Sequence, residues 1–287
     1  MKNKRVICLV ICAVMLAALC FTSASADTGP KPSISVRFEG LGDELCYATL
    51  LSELKSNGPN QAWDGREETA YYGDGEYEIW KAFVDYKDAD GFYFLQPYWQ
   101  VNITKEFTWS YYAPSSFKIL LYYPESGTFS VSDRYERYAF SSYYNVSADD
   151  LSQSTHFTAE KSYDYGSEIL GLIVRIVLTI GIELLIAIPF GYTAKKQLIF
   201  LAIVNAATQI ILNVIVNVAN YNDGAWFALI VFVLAEIAVF LLEAILYCIE
   251  LNKLGTVQKR RWVAVVYAIA ANSASLVLGR ILLNSLA

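Results

Sequence analysis

Apolar residues dominate four stretches in the C-terminal part of the chain, at about 169–190, 198–219, 225–249 and 262–283. They are Leu, Ile, Val and Ala almost throughout, and the gaps between them are short and polar. At 1.5 Å per residue, about 22 residues reach ~33 Å, enough to cross a ~30 Å hydrocarbon layer. Only helices and closed barrels satisfy their own backbone polar groups in lipid, and stretches of this length are helices. The pattern therefore predicts four transmembrane helices. Pro189 is placed in the last turn of the first, where a lost hydrogen bond is easiest to tolerate.

Residues 27–166 read differently. Short runs alternate apolar and polar positions and are rich in β-branched and aromatic residues, at 33–39, 46–51, 77–86, 92–101, 107–112, 117–123, 128–133 and 137–146. Turn signals such as Asn57-Gly58-Pro59-Asn60 and Glu125-Ser126-Gly127 separate them. Strands of this length with turns at these intervals predict a β-sandwich. Residues 125–127 are expected to close a hairpin, and 92–98 to pair back on 77–86. The fold class is then a membrane protein of the α+β type: an extracellular β-sandwich domain at 27–166, followed by a four-helix transmembrane bundle at 167–287.

Charge sharpens this division. The chain has 287 residues, 28 acidic and 22 basic, for a net charge of −6. Residues 27–166 hold 22 acids and 11 bases, whereas 167–287 hold 6 acids and 8 bases. Charged residues make up only 17%, below the ~25% of soluble domains. A disordered chain and a basic nucleic-acid-binding domain are both excluded at this level, so no nucleic acid is expected as a partner.

The first 26 residues read as a secretory signal peptide: Lys2, Lys4 and Arg5, then an apolar core, then Ala24-Ser25-Ala26, with cleavage expected between Ala26 and Asp27. A leader of this kind exports 27–166 and runs the first span inward. The loops then expected in the cytoplasm carry Lys195, Lys196, Lys253, Lys259, Arg260 and Arg261, and the outer loop carries Asp223 and no base. That is the positive-inside distribution. Both arguments predict a multi-pass plasma-membrane protein whose N-terminal domain and C-terminus lie outside, with the lipid bilayer as first partner. Cys46 and Cys248 then fall on opposite sides of the membrane, so no disulfide is expected between them.

The spans carry polar residues at helical spacing. Arg175, Thr179 and Glu183 are four apart, as are Asn205, Gln209, Asn213 and Asn217; Glu236, Glu243 and Glu250 are seven apart. Asn272, Ser273 and Ser275 lie in the last span. Spacings of four and seven keep residues on one helix face, which predicts an inward polar stripe on each helix. A charge at the bilayer centre costs roughly 2.5–3.5 kcal/mol on insertion scales, so acids there pair with a base or take up a proton. Matching depth predicts an Arg175–Glu236 ion pair, with Glu183 and Glu243 partly protonated. Such a network either fixes helix register or lines a path for protons or cations.

Catalytic constellations do not emerge. The spans contain no His, no metalloprotease motif, and no base beside Ser273. No enzyme activity, cofactor or metal is expected. Asp85, Asp88 and Asp90 offer oxygens to a hard cation but lack the full EF-hand loop, and solvated turn carboxylates are the stronger expectation. His156 sits in a polar stretch with no evident partner. Residues 27–166 contain 17 Tyr, 9 Phe and 4 Trp. Aromatic side chains of this kind build contact surfaces at low entropic cost, and Trp63, Asp64 and Trp99 are the leading candidates for one.

The segments Gly42-Asp43-Glu44-Leu45-Cys46-Tyr47, Ala62-Trp63-Asp64-Gly65, 77–86, 117–124 and Lys195-Lys196-Gln197 carry a resemblance to a group of uncharacterised bacterial multi-pass membrane proteins. These have a signal peptide, an acidic aromatic ectodomain and four spans. The resemblance implies topology and a cell-surface location, and no activity. The expected function is non-enzymatic: surface sensing or binding, or envelope assembly with an extracellular or membrane protein partner. A small proton- or cation-coupled transporter using the intramembrane Glu residues is the alternative.

Overall fold

The computed structural model describes residues 29–70, 77–148, 151 and 154–286. The expected signal peptide and the Ala26–Asp27 cleavage point lie outside them. The chain divides into two compact units, Thr28–Tyr163 and the helical stretch from Asp164 onward.

The first unit is β-rich. Its strands in chain order are β1 (Ser33–Glu39), β2 (Tyr47–Ser52), β3 (Ser56–Asn57), β4 (Asn60–Gln61), β5 (Tyr93–Phe94), β6 (Trp99–Gln100), β7 (Glu106–Trp109), β8 (Ser116–Tyr123), β9 (Thr128–Ser132), β10 (Tyr135–Glu136), β11 (Ser141–Ser147), β12 (His156–Phe157) and β13 (Ala159–Lys161). One sheet has the order β13-β11-β1-β7, a second β12-β9-β8-β2-β5, with β10 also on β8 and β6 also on β2, and β3 and β4 form a two-stranded sheet of their own. β1 and β11 pair in parallel, Ser33 opposite Ser141 through Glu39 opposite Ser147. β8 and β9 form the expected hairpin around Gly127, which takes φ 67.

Alternation decides which face each strand buries. Ile34, Val36 and Phe38 of β1, Tyr144 and Val146 of β11, and Phe107 and Trp109 of β7 point to one core. Ala48 and Leu50 of β2 and Phe117, Ile119 and Leu121 of β8 meet them there from the second sheet. Ser35, Arg37 and Glu39 alternate outward on β1, as a half-solvated sheet requires.

The run 77–86 is not a strand. Tyr77–Asp85 is a helix, α1, and it covers the other face of the second sheet. Its buried residues are Ile79, Trp80 and Phe83, spaced as one helical face. A strand would have put Lys81 on the same side as Ile79 and Phe83. As a helix, the segment turns Lys81 outward to pair with Asp85 four residues on. Tyr47 and Leu51 of β2 and Leu120 of β8 pack beneath α1. This is why β2 and most of β8 are buried on both faces.

Residues 92–98 accordingly do not pair with 77–86. Positive φ at Gln96 (84°), followed by Pro97, breaks the expected 92–101 strand into β5 and β6, and both pair with β2. Gln96 is itself buried. It accepts from Trp80 Nε1 at 3.2 Å and donates to the carbonyls of Gln61 and Thr69, both at 3.0 Å. At the β3–β4 turn Gly58 takes φ 59, and a Cβ there would stand 2.3 Å from the Tyr112 ring, so only glycine fits.

The second unit contains α2 (Tyr165–Ala187), α3 (Lys195–Asp223), α4 (Ala225–Leu254) and α5 (Arg261–Leu286). α2 and α4 each pack against both α3 and α5. Asp164 caps α2 by accepting from Ser167 N at 2.9 Å. α2 closes at Ala187, so Pro189 lies beyond the helix instead of in its last turn. The turn is completed by Tyr192 N donating to Ala187 O and by Gly191 at φ 71.

Among the described residues three helices, α2, α3 and α4, are long and apolar enough to cross a membrane. Their outward faces present Ile169, Leu170, Val177, Ile203, Ile211, Val218, Leu229 and Val233, all exposed. Apolar surface this extensive is not tolerated in water. It belongs to a membrane-embedded protein.

One end of this unit is held together by side-chain bonds. Gln197, in the first turn of α3, donates from Nε2 to Leu251 O at 2.7 Å and accepts from Ala194 N at 3.3 Å. A Cβ on Gly255 would strike that amide at 2.3 Å. Asn252 then closes the α4–α5 turn, donating to Lys259 O at 2.7 Å and accepting from Lys259 N at 2.9 Å.

Candidate functional site

The polar stripes sort into two groups. In the first, Arg175 on α2 donates from Nη1 to Asn213 Oδ1 at 3.0 Å, and Asn213 donates to Gln209 O at 2.8 Å. Arg175 itself is exposed on its helix. The expected Arg175–Glu236 ion pair is absent among the described residues. The reason is packing: α2 and α4 each pack on α3 and α5, so Arg175 takes an acceptor from its neighbour α3. Glu236 and Thr179 are half-buried.

The second group is the buried centre of the unit. Glu183 and Glu243 are both 0% exposed. Glu243 accepts from Thr208 Oγ1 at 2.6 Å and from Asn272 Nδ2 at 2.7 Å, so donors from α3 and α5 reach one carboxylate on α4. Asn205 donates to Tyr247 Oη and to Leu201 O, each at 3.0 Å. Tyr267 donates to the backbone carbonyl of Glu183 at 3.2 Å. Among the described residues, Glu183's own carboxyl oxygens have no hydrogen-bond partner, and neither does Asn205 Oδ1. Asn205 and Ser275 are the polar side chains beside the Glu183 carboxyl, but neither closes a well-aligned bond to it.

Of the intramembrane residues singled out by sequence, Glu183, Asn205, Glu243 and Asn272 thus belong to this centre, and Arg175, Gln209 and Asn213 to the first group. Spacing missed the tyrosines. Tyr247 and Tyr267 are fully buried with their rings tilted against each other at 5.6 Å, and Tyr192 meets Tyr267 edge-on at 5.4 Å. Tyr247 lies four residues after Glu243, so the same spacing rule carried one step further would have found it.

In the β-rich unit a cleft of about 450 Å3 opens beside α1. Trp63, Asp64, Lys55, Tyr86, Lys87, Phe92 and Tyr93 line it. Trp63 is held by a bond from Nε1 to Arg66 O at 2.9 Å and by edge contact with Trp80 at 5.3 Å. Hydrogen bonds from the Arg66 guanidinium and then from Thr69 hold the Asp64 carboxyl well below the usual carboxylate range. Trp99 is elsewhere. It is half-buried, stacked on Phe107 at 4.9 Å and tilted against Trp109 at 5.6 Å, as part of the core edge.

The aspartates considered for a cation are matched by lysines. Asp85 pairs with Lys81, while Asp88 and Asp90 share Lys118, at 2.9 and 2.5 Å. The Lys118 and Asp88 side chains are 6% and 1% exposed, a buried ion pair of which Asp88 lines the cleft. No group of three potential metal ligands occurs among the described residues. His156, exposed as expected, has an acidic neighbour: its Nε2 lies 3.1 Å from Asp133 Oδ1, with both side chains exposed.

No family model, no curated protein and no solved structure matches the chain.

Proposed function

We propose that this is a plasma-membrane protein of four spans, with α5 as the fourth, which displays its β-rich unit outside the cell as a sandwich. It acts without catalysis, by binding or sensing at the surface or by assembling an envelope complex through that unit. The observation that carries this reading is the aromatic cleft. Trp63, Tyr86, Phe92 and Tyr93 gather at one opening, Trp63 backed by Trp80 of α1, and rings held in this way bind a ligand at little entropic cost.

Capture on intact cells tests it. Full-length wild-type protein and the Trp63→Ala/Tyr93→Ala variant are cross-linked at the surface and compared. A partner or glycan held by the wild type and lost from the variant supports cleft binding. Identical captures, or none with either, end it. Protease added outside should remove the β-rich unit and spare the turn at 253–261; cleavage of that turn first would reverse the orientation.

A second reading, a small proton- or cation-coupled transporter, is favoured by one observation: Glu183 is buried beside Glu243 with no donor of its own. Flux into proteoliposomes that survives Glu183→Gln and Glu243→Gln unchanged removes it.

A further inference from the structure

At the centre of the helical unit, acceptors outnumber donors. Both carboxyl oxygens of Glu183 and the Oδ1 of Asn205 are buried and lack hydrogen-bond partners, and all three atoms accept only. A buried acceptor left unpaired is costly, and native structures seldom leave three together. The neighbouring acid is treated differently. Glu243 receives one O–H and one N–H, which is the environment of a carboxylate. Two acids in contrasting surroundings divide the roles of proton holder and anion between them.

We propose that Glu183 is a proton-binding site of the helical unit, holding one exchangeable proton in an O–H bond to Asn205 Oδ1 while Glu243 remains a carboxylate.

The step is simple: one proton from water adds to one carboxylate oxygen of Glu183, and no other bond changes. That proton turns one orphan acceptor into a donor and satisfies Asn205 Oδ1 with the same bond. Side chains facing Glu183 from the packed helices are Asn205 from α3, Glu236, Glu243 and Tyr247 from α4, and Tyr267 and Ser275 from α5. None is a base. Arg175, on the same helix, is eight residues away, about 12 Å along the axis, and already serves Asn213. Among the described residues, a proton is thus the positive charge available to Glu183. The site does not depend on ligand binding by the β-rich unit. It gives the transport reading its proton-holding group, and a chain that binds the proton but moves none across vesicles loses the transport reading alone.

Infrared spectroscopy of the full chain in lipid nanodiscs at neutral pH is the test. The expected signal is the carbonyl stretch of a protonated carboxyl group, shifted in heavy water, lost in Glu183→Gln and kept in Glu243→Gln. Absence of this band from the wild type, or its full intensity in Glu183→Gln, overturns the proposal. Should Glu183→Gln fail to fold, Asn205→Ala serves in its place: the band must stay and move to higher frequency as the O–H loses its acceptor, and an unmoved band overturns the assignment. Loss of the wild-type band on exchanging choline for sodium would mean that a metal ion takes the place of the proton, and would also overturn it.

Discussion

Asn272 on α5 donates its amide hydrogen to Glu243 Oε2 on α4 at 2.7 Å, and Thr208 on α3 serves the other oxygen of the same carboxylate. Three helices therefore meet on one side chain. Removing either donor leaves a buried carboxyl oxygen of Glu243 without its partner, at a cost of about 1–3 kcal/mol. Asn272→Leu and Thr208→Val should each lower the thermal midpoint of the full chain in detergent. Unchanged melting in both would mean that the carboxylate does not hold these helices together.

The Lys118–Asp88 pair predicts a larger effect. Burial alone would pull the Lys118 ammonium down, yet hydrogen bonds to Asp90 and Asp88 keep its pKa above the usual lysine value. Lys118→Met strands Asp88 in the interior and should cost about 3–5 kcal/mol. Lys118→Met/Asp88→Asn should recover most of that loss, because neither buried charge remains. Denaturant unfolding followed by tryptophan fluorescence compares the three proteins.

Cys46 gives the β-rich unit an alkaline signature. Burial pushes its thiol from 9.0 up to about 12. The unfolded chain therefore releases this proton first. Stability from this group is complete below pH 9.0 and declines as pH rises towards about 12, by up to roughly 1.4 kcal/mol per unit. Cys46→Ala should flatten that part of the stability profile. In the folded protein at neutral pH the thiol should also resist alkylation until denaturant is added.

α1 should be essential to the second sheet. Phe83 is fully buried, stacked on Phe94 at 5.1 Å and in edge contact with Tyr122 at 5.8 Å. Phe83→Ala should cost about 3–5 kcal/mol and weaken the wall of the cleft, which lowers stability and any surface capture together. Phe83→Leu, which keeps most of the volume, should do much less.

Strands with one wet face were legible in sequence, because alternation along β1 and β11 records which side meets water. The helix α1 was not. Ile79 and Phe83 are four apart, a spacing that even-numbered alternation and a helical face share, and only the burial of Trp80 separates them. In the helical unit, spacing led to buried polar positions at Glu183, Asn205, Gln209, Asn213 and Glu243, whereas Arg175 and Ser273 of the expected inward stripes are exposed. It could not identify partners, since depth fixes position along an axis and leaves rotation and neighbours open. Arg175 and Glu236 lie at matching depth, but Arg175 took Asn213 from the helix beside it. The unpaired state of Glu183 depends on side chains from three other helices, and no local pattern encodes that.

Gln197 bridging α3 to the end of α4, with Gly255 giving it room, has a mechanical consequence. The helices are latched at the end bearing the Lys- and Arg-rich turns, so any splaying hinges there and spreads the opposite end. Larger residues at position 255 would release that latch, and the hinge point would be lost with it.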